Sequence, residues 1–389
     1  MINSYFDTNE KKDCNGCGVC SLKCPKKAIK MVEDEEGFLY PHIDKNKCVE
    51  CGLCKRVCPN HIYYNNNLIK TYIAINNHEE VKKSSASGGL FIALTKYIIE
   101  KKGVVFGVKY DDELKVCHGF TTSTEKVKEF QNSKYVRSDL KDSYQKVENF
   151  LKEDKYVLFT GTPCQCQGLR TFLGKDYDKL ITCDIICHAN PSPKIFEMFK
   201  SNIEKKYKTR IKKITFRPKQ VYGWHSGSHT LITLNDEKII DCSEYCDAFL
   251  NELINRPSCH NCYFSTSNRL SDFTIGDMWG IEKIDSTIKD DNTGLSLLCV
   301  NSNKAANIIE EIKEDLFLKE IDKDKAFMYN HNKNVLPHKN RDKFFKGIAD
   351  GKINENNVIY YLRKYTKRTM ASRIINKVKR IIKTVLRIS

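Results

Sequence analysis

From about residue 71 onward, short apolar runs alternate with segments in which apolar residues recur every three or four positions. The first pattern predicts β-strands and the second predicts amphipathic helices. The predicted strands are 71–75, 104–110, 156–159 and 180–186. The predicted helices are 90–102, 143–152 and 193–207. Because strands and helices alternate, we expect an α/β sheet domain within a chain that is α+β overall.

Two cysteines follow neighbouring predicted strands. Cys164 comes after strand 156–159, and Cys187 comes after strand 180–186. The carboxyl ends of parallel strands lie at one edge of an open α/β sheet, where ligands bind. We therefore expect these two cysteines to meet in space.

A Ser/Gly loop precedes predicted helix 90–102. Its sequence over residues 85–89 is Ser-Ala-Ser-Gly-Gly. Backbone N–H groups, hydroxyl donors and the positive end of a helix dipole suit a diphosphate, although such loops often only cap a helix. We expect Ser87 to be the N-cap of this helix.

Composition narrows the class of protein. The chain has 389 residues, of which 40% are hydrophobic and 29% charged, which is typical of globular proteins. A chain of this length buries a core without disulfides, so stability does not explain its 18 cysteines. Residues 1–13 lack the apolar core of a signal peptide, and no apolar run approaches the ~18 residues of a membrane span. We therefore expect a cytoplasmic protein with reduced thiols.

The first sixty residues contain the pattern C-x2-C-x2-C-x3-C-P twice. The two copies are Cys14, Cys17, Cys20 and Cys24, and Cys48, Cys51, Cys54 and Cys58. Three cysteines at two-residue spacing can wrap one 4Fe–4S cube, while the fourth reaches another cube. Zinc knuckles lack the third cysteine, so the spacing favours two clusters over structural zinc. Segments 28–32 and 35–40 predict a short hairpin over the clusters.

This stretch, residues 10–62, resembles the bacterial two-cluster ferredoxins. The resemblance implies that cluster one is bound by Cys14, Cys17, Cys20 and Cys58. It implies that cluster two is bound by Cys24, Cys48, Cys51 and Cys54.

Four further cysteines could form a third site. They are the strand-end pair Cys164 and Cys187 and the C-x2-C pair Cys259 and Cys262. Such a two-plus-two arrangement suits a third 4Fe–4S cluster or a zinc ion, and two clusters upstream favour the cluster. The rival ligands are Cys242 and Cys246.

Six segments occur in a fixed order between residues 84 and 284. They are Ser-Gly-Gly at 87–89, Ser-Lys-Tyr-Val at 133–136, Leu-Phe-Thr-Gly-Thr-Pro-Cys-Gln at 158–165, Asp-Ile-Ile-Cys-His at 184–188, Arg-Pro-Ser-Cys-His-Asn-Cys at 256–262 and Gly-Asp-Met-Trp-Gly at 276–280. This set resembles the coenzyme F420 hydrogenase/dehydrogenase beta-subunit family, although Ala189 stands where that family usually has Gly. The resemblance implies bound FAD, an additional iron–sulfur cluster beside the flavin, and electron transfer between ferredoxin-type clusters and a two-electron partner.

The Ser/Gly loop and the matching segments together provide the candidate flavin-binding residues. They are Ser85, Ser87, Gly88, Gly89, Ser133, Tyr135, Thr160, Gly161, Thr162, Asp277 and Trp279. Arg137, Arg269 and Asp272 either contact flavin phosphate or ribose or form surface ion pairs.

Catalytic residues are less well defined by the sequence. Arg217, Lys219 and Trp224 either bind an anionic substrate or belong to a strand end and the core. His188 either protonates substrate, donates to a cluster sulfur, or has a structural role. The catalytic candidates are therefore His188 and Lys219. We find no Ser/His/Asp or paired-carboxylate pattern that would indicate hydrolysis.

The net charge of +16 is concentrated at the C-terminal end. Residues 356–389 contain ten basic residues and no acidic one, which leaves +6 for residues 1–355. On a helical wheel, the Ile, Val and Leu residues after 373 separate completely from the Lys and Arg residues. Such a helix lies in an anionic membrane surface or docks on its own domain. The segment lacks the interleaved aromatic side chains that would indicate nucleic-acid binding.

We therefore predict a ferredoxin-type two-cluster domain at 1–68, two parts of a flavin-binding domain at 69–163 and 164–335, and a helical basic tail at 336–389. The predicted function is an FAD and iron–sulfur oxidoreductase with an unidentified two-electron substrate or coenzyme. The alternatives are a non-catalytic electron-transfer beta subunit and a zinc-stabilised membrane adaptor. The expected partners are a ferredoxin or other redox protein, further subunits, and an anionic surface on the inner face of the cell membrane, contacted by residues 370–389.

Removing residues 370–389 deletes the basic amphipathic segment. We expect the truncated chain to lose binding to anionic vesicles, because both the charge and the apolar stripe are gone. Liposome flotation measures this, with neutral vesicles as the control. Equal recovery of the full-length and truncated chains would contradict the membrane prediction and favour docking on the chain's own domain.

Overall fold

The fold was analysed in a computed structural model, which describes residues 3–61 and 68–366. The amphipathic segment predicted at 370–389 lies outside the described residues. Within those two ranges, no helix is both long enough and apolar enough to cross a membrane.

The described elements comprise short N-terminal helices and a hairpin, followed by alternating strands and helices. The strands are β1 Ile29–Glu33, β2 Leu39–Ile43, β3 Lys70–Asn76, β4 Val104–Tyr110, β5 Val116–Thr121, β6 Val157–Gly161, β7 Leu180–Ile185, β8 Ile211–Phe216, β9 Thr230–Leu234, β10 Ile239–Asp241, β11 Phe273–Asp277, β12 Ser296–Val300 and β13 Leu316–Glu320. The helices are α1 Tyr5–Thr8, α2 Val19–Leu22, α3 Leu53–Arg56, α4 Glu79–Ser84, α5 Leu90–Glu100, α6 Ser143–Lys152, α7 Pro163–Leu173, α8 Pro193–Tyr207, α9 Lys219–Tyr222, α10 Glu244–Leu250, α11 Ile281–Ile284, α12 Asn303–Ile312, α13 Lys323–Phe327, α14 Arg341–Ala349 and α15 Val358–Thr366.

An eight-stranded mixed sheet organises most of the chain, with strand order β13-β3-β12-β11-β7-β6-β4-β5. Its four central strands, β11, β7, β6 and β4, are parallel, and the outer pairings are antiparallel. Leu158 of β6 pairs with Ile181 of β7, so the two strands predicted to be parallel neighbours are neighbours. The α/β prediction is confirmed.

The two faces of the sheet bury different helices. Val105 of β4 and Leu158 of β6 face α5 and α12, whereas Phe106 and Phe159 on the same strands face α6 and α7. This alternation follows from the two-residue period of a strand. Val19 of the N-terminal unit also packs on the α6/α7 face, which therefore carries the ferredoxin-like hairpin unit.

A second core lies around the antiparallel sheet β10-β9-β8. Helices α8, α10, α14 and α15 pack there, and Phe344 of α14 and Leu362 of α15 are fully buried. The start of the predicted basic tail at 336–389 is thus part of a core. Both predicted parts of the large domain, 69–163 and 164–335, contribute strands to the one eight-stranded sheet.

One helix begins differently from the prediction. Gly89 is the N-cap of α5, with φ of 88°, a left-handed conformation that favours glycine. Ser87 is therefore not the N-cap, and its hydroxyl donates to the Leu295 carbonyl at 2.7 Å. Helix α4, just before this loop, was not predicted.

Buried arginines attach the N-terminal unit to the rest of the fold. Arg256 is fully buried, and it donates to the carbonyls of Cys14 at 2.8 Å and Leu39 at 2.9 Å. Its guanidinium also lies 4.3 Å from the centre of the Tyr40 ring. Arg341 of α14 forms two hydrogen bonds with the carboxylate of Glu36, in the turn of the β1/β2 hairpin.

Replacing Arg341 with Ala leaves the Glu36 carboxylate largely buried and without its partner, since their side chains are only 7% and 12% exposed. Removing one partner of such a pair costs about 3 kcal/mol or more. The matched control is Arg210→Ala, because Arg210 is 82% exposed in its pair with Glu204, and such pairs contribute about 0–1 kcal/mol. Urea unfolding of the anaerobically purified protein measures the free energy of unfolding of each variant. An equal loss in the two variants would show that the Arg341–Glu36 pair does not hold the hairpin in place.

Candidate cluster and cofactor sites

Four cysteines of the N-terminal unit line one small cavity. They are Cys14, Cys17, Cys20 and Cys58, the set predicted for cluster one. The chain turns around this cavity at Gly16 and Gly18, whose φ values of 64° and 78° favour glycine. Burial raises the pKa of Cys17 to about 12, and the neighbouring thiols of Cys14 and Cys164 add to the shift. Cys17 also packs against α7 of the large domain, because a Cβ at Gly168 would lie 3.1 Å from the Cβ of Cys17.

The cysteines predicted for cluster two lie nearer the surface. Cys51 is exposed, and Cys48 and Cys54 are half-buried. Burial is the main cause that raises the pKa of Cys54, with Cys48 and Cys51 contributing. Cys24, the predicted fourth ligand, accepts a hydrogen bond from the Ala28 N–H at 3.3 Å.

A third group of cysteines shares a cavity in the large domain. Its members are Cys164, Cys187, Cys259 and Cys262, which are the four predicted for the third site. Cys164 is in the first turn of α7, Cys187 follows β7, and the other two belong to the turn around Pro257–Asn261. The Asn190 N–H donates to the Cys259 sulfur at 3.2 Å, and the Asn190 side chain lies beside Cys164.

The rival cysteines do not join this group. The Cys242 thiol donates to a Glu244 carboxylate oxygen at 2.8 Å, and Cys246 is buried in α10. Burial raises the pKa of Cys246 to about 12, which is typical of an inert buried thiol. In the described chain, no three His, Cys, Asp or Glu side chains converge on a site for a single metal ion.

Two buried arginines lie between the first and third groups of cysteines. Arg137 donates to the Gly16 carbonyl at 2.8 Å, and one Nη of each of Arg137 and Arg256 is buried without a hydrogen-bond partner among residues 3–61 and 68–366. Burial acts to lower the pKa of Arg137, but the thiolate charges of Cys164 and Cys17 outweigh it and raise the pKa. No carboxylate in the described ranges pairs with either guanidinium, so both cations suit a negatively charged group held by these cysteines.

A cleft of about 310 Å³ opens at the carboxyl ends of β6, β7 and β11. Among the predicted flavin-binding residues, those lining it are Ser85, Ser87, Gly89, Ser133, Tyr135, Thr160, Gly161, Thr162 and Asp277. An adjoining cavity of about 400 Å³ shares Tyr135, Thr162 and Asp277 with the cleft and is also lined by Trp279. The structure therefore brings nearly all the predicted residues to one edge of the sheet.

Two residues of the Ser/Gly loop behave differently. The Ser85 hydroxyl lines the cleft, is buried, and has no hydrogen-bond partner within the described residues. Gly88 instead packs on the sheet, because its N–H donates to the Ser296 hydroxyl and a Cβ there would lie 2.5 Å from the Ala74 carbonyl. Ser85 is thus available to a ligand, whereas Gly88 is required by packing and does not line the cleft.

The two lysines near the cleft have different roles. Lys219 donates to three backbone carbonyls, those of Lys82, Ser87 and Thr293. These bonds join α4, the Ser/Gly loop and Thr293, which is a positioning role, and catalysis by Lys219 stays a prediction. Lys134 was missed as a site residue, although it stands inside a matching segment. It lines both cavities, and burial lowers its pKa to about 7.

Asp277 is held by an aromatic and cationic network. Its carboxylate accepts from the Trp224 indole N–H at 3.0 Å and pairs with Arg217 at 2.5 Å. Trp224 stacks on Trp279, with centroids 4.5 Å apart. The charge of Asp277 outweighs the effect of burial and raises the pKa of Arg217. The Arg217 guanidinium is therefore held in an ion pair at the wall of the cleft. Trp224 is buried, as expected for a core residue.

His188 lies in a small polar network at the second cavity. One ring nitrogen pairs with Glu252 at 2.6 Å, and the other lies 2.5 Å from a nitrogen of His331. Burial and the charge of His188 lower the pKa of His331 to about 4. Both histidines line the cavity, but sequence reasoning missed His331 and Glu252 because they are 143 and 64 positions away from His188.

The remaining polar candidates are structural. Asp272 accepts hydrogen bonds from the backbone and hydroxyl of Thr182 and pairs with Arg170. Arg269 donates to the Phe264 carbonyl at 3.2 Å and is buried. Neither lines the cleft, and their contact with flavin phosphate or ribose stays a prediction.

Comparison with known proteins identifies two segments of the chain. Residues 154–326 match the family described as the C-terminal part of the coenzyme F420 hydrogenase/dehydrogenase beta subunit. Residues 13–62 match the 4Fe–4S dicluster domain. A search of curated proteins gives no significant match. Among solved structures, a chain of the F420-reducing NiFe hydrogenase complex from Methanosarcina barkeri is 16% identical with a TM-score of 0.45, covering 78% of this chain and 94% of that chain.

The matched ranges contain both C-x2-C-x2-C-x3-C-P copies and all four cysteines of the third group. They confirm the resemblance that the motifs indicated. Residues 13–62 are a 4Fe–4S dicluster domain, and residues 154–326 belong to the coenzyme F420 hydrogenase/dehydrogenase beta-subunit family.

Proposed function

We propose that this chain is an oxidoreductase that binds FAD in the cleft and a third 4Fe–4S cluster at Cys164, Cys187, Cys259 and Cys262. It transfers electrons between the N-terminal clusters and a two-electron substrate or coenzyme. Bound FAD would supply the exchange between one-electron and two-electron transfer. The substrate would occupy the adjoining cavity of about 400 Å³.

The observation that carries this proposal is the position of the third group of cysteines. On one side, Asn15 lines both the cluster-one cavity and the cavity of the third group, and Cys17 packs against Gly168 of α7, the helix that carries Cys164. On the other side, Asn190 contacts the Cys164 and Cys259 sulfurs and also lines the cleft. These contacts form one continuous series of sites from the N-terminal cysteines to the cleft.

The shape and polarity of the cleft support a flavin. The two adjoining cavities each fall within the ~300–1,000 Å³ typical of small-molecule sites. The amino end of α5 and the Ser85 hydroxyl provide hydrogen-bond donors for a diphosphate, while Lys219 holds the loop in place. Lys134 and Tyr135, on the wall between the cavities, would contact both a flavin and a substrate.

The third cysteine group fits a cluster better than a zinc ion. Four thiolates on one zinc must lie within ~4 Å of each other, since each Zn–S bond is about 2.3 Å. Here the four sulfurs line a cavity, with two nearby arginines that have no acidic partner in the described chain. A 4Fe–4S cube with four thiolates carries net negative charge, which would balance those cations.

A non-catalytic electron-transfer subunit is the second candidate. The family description of a beta subunit favours it, because such a chain would serve a partner in a complex. The two candidates share the cofactors and differ only in whether the isolated chain turns over a small electron acceptor.

Replacing Cys164 with Ser removes one proposed ligand of the third cluster. We expect iron and acid-labile sulfide to fall from about 12 to about 8 per chain after anaerobic purification. Cys246→Ser is the matched control, because Cys246 is a buried cysteine outside the group and should keep the full content. The iron, zinc and acid-labile sulfide contents per chain are measured for both variants. Zinc in place of iron, or equal iron in the two variants, would contradict the third cluster.

Replacing Ser85 with Asp places a carboxylate in the cleft. Because an FAD diphosphate is negative, we expect flavin occupancy to fall at least about tenfold, a loss of ~1.4 kcal/mol or more in binding. The matched control is Ser84→Asp, because Ser84 is exposed at the end of α4 and its hydroxyl bonds to the Glu80 carbonyl. The ratio of flavin to protein absorbance checks this, with iron content as the folding readout. An equal flavin content in the two variants would show that the diphosphate does not bind beside Ser85.

A further inference from the structure

The two predicted cluster sites of the N-terminal unit face different surroundings. The cluster-one cysteines lie against the large domain, where Arg256 and Arg137 bond to their loop. The cluster-two cysteines lie at the surface, where Cys51 and Val49 are exposed, Val49 to 58%. Any protein that exchanges electrons with this chain through the N-terminal unit would therefore approach at cluster two.

The loops that carry the cluster-two cysteines are strongly basic. Their charged residues are Lys23, Lys26, Lys27, Asp44, Lys45, Lys47, Glu50, Lys55 and Arg56. We call the exposed part of these loops the cluster-two surface. Lys47 pairs with Asp44 and Lys55 with Asp7. Within residues 3–61 and 68–366, the other basic side chains of this surface have no acidic partner.

Three acidic residues of the hairpin turn form ion pairs away from this surface. Asp34 and Glu35 pair with Lys11, and Glu36 pairs with Arg341 of the large domain. The unit is thus polarised, with its acidic hairpin turn bonded to the fold and its basic loops directed to solvent. Unpaired exposed charges of one sign contribute little to stability, but they steer an oppositely charged partner and speed association.

We propose that the cluster-two surface docks an acidic protein that carries its own one-electron redox centre. This inference rests on the proposed function, and it specifies where the redox partner binds and that the partner's surface is acidic. The exposed side chain of Val49, 58% accessible, supplies a small apolar contact of the kind found in transient electron-transfer complexes. The loops that form this surface, residues 23–27 and 44–56, contain no aromatic residue, so those loops supply no stacking platform for a nucleic acid.

The test compares two charge-reversal pairs in the cofactor-loaded full chain. Lys26→Glu/Lys45→Glu changes the cluster-two surface, and both lysines are exposed. Lys126→Glu/Lys128→Glu changes the net charge equally, on an exposed turn whose Phe130 packs on the opposite face of the sheet. The probe is an acidic two-cluster ferredoxin, and surface plasmon resonance under nitrogen measures the association rate.

We expect the first pair to slow association at least about tenfold at low ionic strength and the second pair less than about twofold. The difference should disappear near 1 M salt, where the Debye length is about 3 Å. Equal rates in the two variants would overturn the proposal. So would faster association of cytochrome c, a basic carrier, or tighter binding of single-stranded DNA than of the ferredoxin.

Iron content and reduction of the bound flavin by dithionite are measured on the same samples. Dithionite needs no docking protein, so a flavin that it fails to reduce would refute the proposed function. A slower association with normal dithionite reduction would support the docking surface alone, and normal association with normal reduction would refute only that surface.

Discussion

Buried guanidinium groups that bond to backbone carbonyls hold the two parts of this molecule together. Burying a cation without a counter-charge costs several kcal/mol, so its hydrogen bonds must be good and its neighbours well placed. Arg256 meets this requirement with the carbonyls of Cys14 and Leu39 and the face of Tyr40. Arg137 does so with the Gly16 carbonyl. Both arginines fix the cluster-one loop, and through it they set the distance to the cysteines of the large domain.

Charged residues elsewhere in the site also position backbone. Lys219 donates hydrogen bonds to the carbonyls of Lys82 in α4, Ser87 and Thr293. The Asp277 carboxylate bonds to both Trp224 and Arg217. The hydrogen bonds of these side chains are made within the protein, whereas the Ser85 hydroxyl lines the cleft without a hydrogen-bond partner among the described residues.

Much of the fold follows from local signals. The parallel neighbours β6 and β7 are apolar runs bounded by polar turns, and their spacing predicted them correctly. The N-cap of α5 was missed because Ser87 has a typical capping side chain, yet that hydroxyl is drawn to the Leu295 carbonyl, 208 positions away. The order of strands in the large sheet was not predicted for a similar reason, since it depends on pairings that no local window contains.

The amino-acid sequence by itself determined that the N-terminal cysteines form a 4Fe–4S dicluster domain and that β6 and β7 are parallel neighbours. Both depend on short-range patterns, namely the spacing of the cysteines and apolar runs bounded by turns. Only the tertiary structure decided that Asn15 lines the cavities of both the first and the third group of cysteines, that Lys219 donates to three backbone carbonyls, and that α14 and α15 belong to a core. Those outcomes depend on contacts between distant segments, where burial and hydrogen bonding of buried charges outweigh local preference.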